Sequence, residues 1–417
     1  MATGTEHAIL ILSGLLLLAV IIQPLARKAR LPFTATLVVA GYISSELLVK
    51  AGVDTGIRAE NFHDLIFFVF LPVLVFESAY NINAGLLWKN LLPILFLAIP
   101  LMLLSTVITA ALIYFGIGHP TGFPWIAALL TGALLSATDP VAVVALLRQM
   151  GVAERLAMLM EGESLFNDAT AIVVFSVFLA IATGTDGPMS VADASRHFLY
   201  VFFGGILVGA GTGLVFAILV ELAGDTVIKA LATVISAYLA YLIAESVLHV
   251  SGVMAVLVTG LILGYRRQHA APGKDTGFEH KLWEFNAYVA NVLVFLFMGV
   301  TITAGMFEER WLAMLTGIAG VLLARSLGIF TCVPLLNKLT PIETISRPFQ
   351  VVMLWGGLRG AVTLALALSL PTSLDYWWTI QSIAFGVVLF TLFIQATTTA
   401  PLLRYYGLNR SDKASNT

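Results

Sequence analysis

Ser136-Ala137-Thr138-Asp139-Pro140 interrupts an apolar run spanning residues 123–147, and Gly356-Gly357-Leu358-Arg359-Gly360 interrupts another spanning 345–370. Pro140 has no amide proton and disrupts the helical turn before it, while the glycines let the backbone leave helical geometry. Both runs therefore read as broken helices. The chain around them is 59% hydrophobic and 11% charged, with a mean hydropathy of +0.95, whereas a soluble domain carries roughly 25% charged residues. The expected fold class is an all-α polytopic membrane protein.

A membrane-crossing helix needs about 20 mostly apolar residues. Reading between polar breaks gives thirteen runs: 8–26, 32–49, 61–80, 91–116, 123–147, 152–182, 196–222, 227–246, 252–265, 285–306, 311–336, 345–370 and 377–403. The first follows a segment without Lys or Arg and ends in a basic cluster, so it reads as a retained span and not as a signal peptide. Residues 404–417 read as a short cytoplasmic tail.

Net charge is −2 and says little, but the placement of the basic residues is informative. One alternating set of loops holds sixteen of the 22 Lys and Arg, among them Arg27, Lys28, Arg30, Arg148, Arg155, Lys274, Arg410 and Lys413. The other set holds Lys50, Arg58, Arg196 and Arg310, and Arg325 and Arg359 lie inside runs. By the positive-inside rule the first set is cytoplasmic, which puts the N-terminus outside and the C-terminus inside a cell membrane. Cys332 is the single cysteine, which excludes an internal disulfide framework.

Thirteen spans divide into six, one and six. Residues 8–182 and 227–403 would begin on opposite sides of the membrane and form an inverted repeat, with 196–222 as the linking helix. Interrupted segments at matching positions of two such halves are the sequence pointer to a transporter's binding site. The breaks at Asp139-Pro140 and at Gly356 to Gly360 occupy matching positions, the fifth and twelfth runs. Pro140, Gly356, Gly357 and Arg359 are thus expected to support crossing broken helices, with Arg359 countering a half-helix C-terminus or balancing Asp139.

The sixth run contains Met160-Glu161-Gly162-Glu163-Ser164-Leu165-Phe166-Asn167-Asp168-Ala169-Thr170, with polar groups on several faces. A charge at mid-bilayer costs at least about 2.5 kcal/mol on insertion scales, so such residues generally face a cavity or a partner. At helical spacing Glu161, Ser164 and Asp168 share one face, and Glu163 and Asn167 share another. Asp168 and Ser164 can offer oxygens to a small hard cation, helped by Thr138, carbonyls and water, and no His and Cys set suits zinc or copper. Proton and cation would compete for the one Asp168 carboxylate, and that competition couples their movements in opposite directions. Arg325, deep in the eleventh run, needs a buried acid, and Glu163 is the first choice. Asp139 fits helix capping and ion-site support equally well. Glu77 is read as facing the cavity.

These strings resemble the monovalent cation/proton antiporter family, specifically the prokaryotic sodium/proton antiporter branch related to the animal sodium/proton exchangers. The resemblance rests on Ala137-Thr138-Asp139-Pro140-Val141, Glu161 to Asp168, and Gly356-Gly357-Leu358-Arg359-Gly360-Ala361-Val362. It implies a homodimer in membrane lipid, with a mobile core from 91–182 and 311–403 and a dimerisation domain from 8–80 and 196–306. It also implies elevator-like alternating access, with Na+ at Asp168, Ser164 and the Thr138 carbonyl. Asp139 and Glu77 would contribute through water or nearby contact, Asn167 would belong to the same cation- and proton-binding set, Glu163 would pair with Arg325, and the function would be pH and sodium homeostasis.

In the similar electrogenic branch the position of Asn167 is an Asp and a Lys replaces Arg325. Neither substitution occurs here, so the expected exchange is electroneutral, one cation for one proton. No cofactor and no nucleic-acid partner is expected, only transported Na+, Li+ or K+ and H+. A K+/H+ antiporter of the same fold is the nearest alternative. A gated cation channel and an intramembrane enzyme are more distant ones, since neither a filter motif nor a His-Glu-x-x-His string is present. The long cytoplasmic regulatory tail of the animal exchangers is not expected, which fits a prokaryotic origin.

Overall fold

The computed structural model describes residues 4–29, 31–50, 65–118, 122–184, 190–269, 277–339 and 343–408. The start of the third run (61–64), most of the tail, and Arg30, Arg58, Lys274, Arg410 and Lys413 lie outside these residues.

Among the described residues the fold is all-helical, without strands. In chain order the helices of eight or more residues are α1 (Gly4–Ala29), α2 (Phe33–Lys50), α3 (Ile66–Asn81), α4 (Leu91–Gly116), α5a (Trp125–Ser136), α5b (Val141–Gln149), α6 (Glu154–Thr183), α7 (Val191–Leu222) and α8 (Thr226–Val247). They continue with α9 (Gly252–Gln268), α10 (Gly277–Thr301), α11 (Ala304–Leu339), α12a (Arg347–Trp355), α12b (Ala361–Leu368) and α13 (Trp377–Tyr405). Among the described residues eight helices are long and apolar enough to cross a membrane, and α3 and the first part of α2 are shorter apolar helices. The chain is a multi-pass membrane protein.

Several helices overrun the apolar limits read from sequence, among them Gly4–Ala29 and Gly252–Gln268. The run 285–306 is divided: α10 starts earlier, at Gly277, and ends at Thr301, and α11 begins at Ala304 and carries Glu308, Glu309 and Arg310 before a kink at Arg310. Hydropathy marks the hydrocarbon-embedded part of a helix, whereas hydrogen bonding continues into the interface.

Two groups of helices pack mainly within themselves. In one, α2 packs on α10, α3 on α9 and α10, and α7 and α8 on α9; in the other, α4 packs on α5a and α11, and α13 on α11 and α12b. The α2–α10 crossing is close because it is built on glycines: a Cβ on Gly41 would sit 2.5 Å from the Leu296 carbonyl and 3.1 Å from the Gly299 Cα. Small residues allow this approach where lipid supplies no hydrophobic drive. α6 lies between the groups, packing on α4 and α5a on one side and touching α7 and α9 on the other.

Candidate functional site

Both interruptions are real breaks in helix, and they touch. α5a ends at Ser136 and α5b restarts at Val141, while α12a ends at Trp355 and α12b restarts at Ala361. The freed Asp139 amide donates to the Leu358 carbonyl at 2.8 Å, one unwound strand bonding the other. Backbone groups left by the breaks are satisfied locally, as a low-dielectric interior demands. Arg359 Nη1 donates to the Ala137 carbonyl at 3.2 Å and the Arg359 amide donates to Thr391 Oγ1 at 3.2 Å. Arg359 therefore sits at the carbonyl end of α5a, where a cation complements the helix dipole. Among the described residues it forms no ion pair with Asp139.

Asp139, one residue before the N-cap Pro140, covers the start of α5b, since its Oδ1 accepts from the Val141 amide at 3.2 Å. Its carboxyl also lines a cavity of about 550 Å3 together with Pro140, Glu77, Ser164 and Asp168. Capping and the cavity thus share one residue. The two readings of Asp139 are not exclusive.

On α6, Ser164 and Asp168 are half-buried and face the cavity, whereas Glu163 and Asn167 are buried on the other side. The Thr138 amide donates to Asp168 Oδ1 at 3.2 Å, and Ser164 Oγ donates a short hydrogen bond to the Thr138 carbonyl. Asn167 Nδ2 donates to the Ser136 carbonyl at 2.9 Å and to Thr138 Oγ1 at 3.2 Å. Asn167 therefore braces the unwound segment from behind while Asp168 faces the opening.

Glu163 and Arg325 meet at 2.8 Å, and the Arg325 guanidinium also donates to the Met353 carbonyl at the end of α12a. Gly357 makes room for this guanidinium, because a Cβ there would fall 2.6 Å from Arg325 Cζ. Gly356 packs likewise against Met160. Glu77 reaches the same cavity from α3, the opposite wall, with its Oε1 accepting from Asn81 Nδ2 at 2.9 Å.

Several residues of this region were not singled out from sequence. Arg148, read only as a loop base, holds Glu161 with Nη2 at 2.8 Å from both carboxylate oxygens at the cavity's mouth. Glu279 is buried and accepts from the Tyr80 hydroxyl at 2.9 Å. A signal for it existed: Glu279 falls on the buried stripe Trp283, Ala287 and Ala290 of α10, at helical spacing. Among the described residues no group of three or more His, Cys, Asp or Glu could hold a metal ion.

The crossing broken helices and α6 bring an aspartate and a serine hydroxyl to the wall of this cavity of about 550 Å3, oxygen donors of the kind that suit hard cations. Residues 14–405 match the family described as sodium/hydrogen exchanger, transmembrane. The chain belongs to the sodium/hydrogen exchanger family. It is 39% identical over 406 residues to the Na(+)/H(+) antiporter ApNhaP of Aphanothece halophytica, a match that covers 97% of this chain and 75% of that protein. It is 32% identical over 420 residues to sodium/hydrogen exchanger 7 of Arabidopsis thaliana, covering 95% of this chain and 36% of that longer protein. Its fold is that of the sodium proton antiporter MjNhaP1 from Methanocaldococcus jannaschii, with a TM-score of 0.79 at 22% identity, covering 95% of this chain and 100% of that one. Sodium/hydrogen exchangers are transporters and not enzymes, and the ions they move are substrates, not cofactors.

Proposed function

We propose that this protein exchanges sodium, or a similar alkali cation, for protons across a cell membrane. The carrying observation is the position of Asp168, a carboxylate on the cavity wall that, among the described residues, takes one protein hydrogen bond, from the Thr138 amide. An oxygen so lightly bonded needs a proton or a cation, and it can hold only one of them at a time. Ser164 Oγ and the Thr138 carbonyl are the neighbouring oxygens, with Asp139 and Glu77 acting through water. Names of the relatives, Na(+)/H(+) antiporter and sodium/hydrogen exchanger, support the substrate pair.

Movement of the core, residues 91–182 and 311–403, against a dimerisation scaffold of 8–80 and 196–306 would carry Asp168 between the two sides. Packing of helices mainly within these two groups supports a core that moves as a body. The working form is a homodimer of thirteen-span protomers built on two inverted repeats, with the N-terminus outside and the tail in the cytoplasm. With Asn167 neutral and a single exchangeable carboxylate, the exchange is electroneutral, one for one. Glu163 and Arg325 are the structural pair that joins α6 to α11, with Arg325 reaching on to the Met353 carbonyl of α12a.

The test is proton flux in vesicles carrying purified protein, on addition of sodium, lithium or potassium. Parent protein responds to at least one of these ions and Asp168→Asn to none. Undiminished exchange by Asp168→Asn removes the proposal.

A further inference from the structure

The end of α3 is clasped to the neighbouring scaffold helices by consecutive residues. Tyr80 and Asn81 bond Glu279 and His280 of α10: Tyr80 Oη donates to Glu279 at 2.9 Å, and His280 Nδ1 lies 2.8 Å from Asn81 Oδ1. From α9, Arg267 lies over the Tyr80 ring, 4.6 Å from its centroid, and Gln268 donates to the Ile82 carbonyl and accepts from the Ala84 amide. One member of this clasp reaches the cavity. Asn81 Nδ2 donates to Glu77 Oε1 at 2.9 Å, so Glu77, Asn81 and His280 form a chain from the cavity wall to an exposed ring at its rim.

The amide of Asn81 is asymmetric, and each end has one job. An ionised Glu77 is an acceptor only, so Asn81 must turn its NH2 toward it. That leaves Oδ1 facing His280, whose Nδ1 must then carry the proton. The ring thereby holds the amide against flipping. A flipped amide would set a carbonyl oxygen against the Glu77 carboxylate, and the carboxylate would swing away.

We infer that Asn81, oriented by His280, is a positioning residue that holds Glu77 toward the cavity and so sets the affinity for the incoming cation. This rests on the cation/proton exchange proposed above, with Glu77 on the fixed wall facing the moving Asp168. The device sits on the scaffold, so Glu77 keeps its place while the core moves.

The experiment measures sodium-driven proton flux by full-length protein in vesicles, separating the KM for sodium from Vmax. Asn81→Ala is expected to raise KM about five-fold, the worth of one hydrogen bond, with Vmax within about two-fold. His280→Ala moves KM in the same direction, and His280→Asn, whose Nδ2 can replace the Nδ1 donor, restores it. Gln268→Ala removes clasp bonds that do not touch Glu77 and leaves KM at the parent value. The inference is overturned if KM is unmoved in both Asn81→Ala and His280→Ala, if His280→Asn fails to restore it, or if Gln268→Ala raises it equally. If Asn81→Ala does not fold, the two His280 variants decide alone. Absence of any cation-driven flux in the parent protein would instead defeat the exchange reading itself.

Discussion

Glu163 and Arg325, 162 residues apart in sequence, share two hydrogen bonds of 2.8 and 3.2 Å within the protein. Each is nearly inaccessible, at 2% and 9% of its side-chain surface. Removing one partner of a buried pair leaves an uncompensated charge, at a cost of about 3–5 kcal/mol. Arg325→Leu also releases the Met353 carbonyl, so it should destabilise more than Glu163→Gln. Thermal unfolding of the purified protein in detergent is the measurement. The double variant Glu163→Leu/Arg325→Met should recover part of the loss, because an apolar pair of similar volume leaves no buried charge.

Gly360 gives a sharper test of the crossing. A Cβ there would run into the Asp139 carboxylate, whereas one on Gly211 meets nothing within 4 Å. Gly360→Ala must therefore displace Asp139 or part the strands joined by the Asp139 amide and Leu358 carbonyl. Its expected effect is at least a ten-fold loss of exchange rate, about 1.4 kcal/mol or more in barrier. Gly211→Ala, in an exposed helical position of α7, should leave exchange unchanged and stabilise by up to about 1 kcal/mol. Flux and unfolding measured on the same two preparations separate a site effect from a folding effect.

The strongest features were legible in sequence because each violates the chemistry of hydrocarbon. Pro140 and the glycines of 356–360 cannot sustain regular helix, and Asp168 and Arg325 cannot face lipid. Charge balance demanded a buried acid for Arg325 and made Glu163 the first choice, and the two do pair. What escaped depended on the angle between helices. Asn81 and His280 are 199 residues apart, and neither type is unusual near a helix end. Arg148 read as a loop base because its partner Glu161 lies across a turn between α5b and α6, a geometry that spacing does not reveal. Helix ends were misplaced by several residues around 301–311, since apolar content and helical hydrogen bonding stop at different depths.

Competition at Asp168 predicts a particular kinetic pattern. If proton and cation exclude one another on that carboxylate, lowering pH on the cation's side should raise the KM for sodium while Vmax at saturating sodium is kept. Mass action limits the rise to about ten-fold per pH unit. Initial rates at several sodium concentrations and pH values give both constants. A fall in Vmax with unchanged KM would mean that protons act elsewhere than at the cation's own ligand.

Stoichiometry can be tested at Asn167. Its Nδ2 donates to the Ser136 carbonyl and to Thr138 Oγ1, behind Asp168 and away from the cavity. A carbonyl only accepts, so an Asp at this position can reproduce the first bond only while it carries a proton. Asn167→Asp should therefore not act as a second exchangeable carboxylate. The expected variant is slower, by about five- to ten-fold for one disturbed hydrogen bond, and still electroneutral. Sodium-dependent current across a planar or vesicle membrane is the readout. A sodium-dependent current in Asn167→Asp that is absent in the parent would mean that residue 167 alone selects the charge moved per cycle. Absence of current in both would assign that choice to the surroundings of the pair, where Glu163 already holds Arg325 at 2.8 Å.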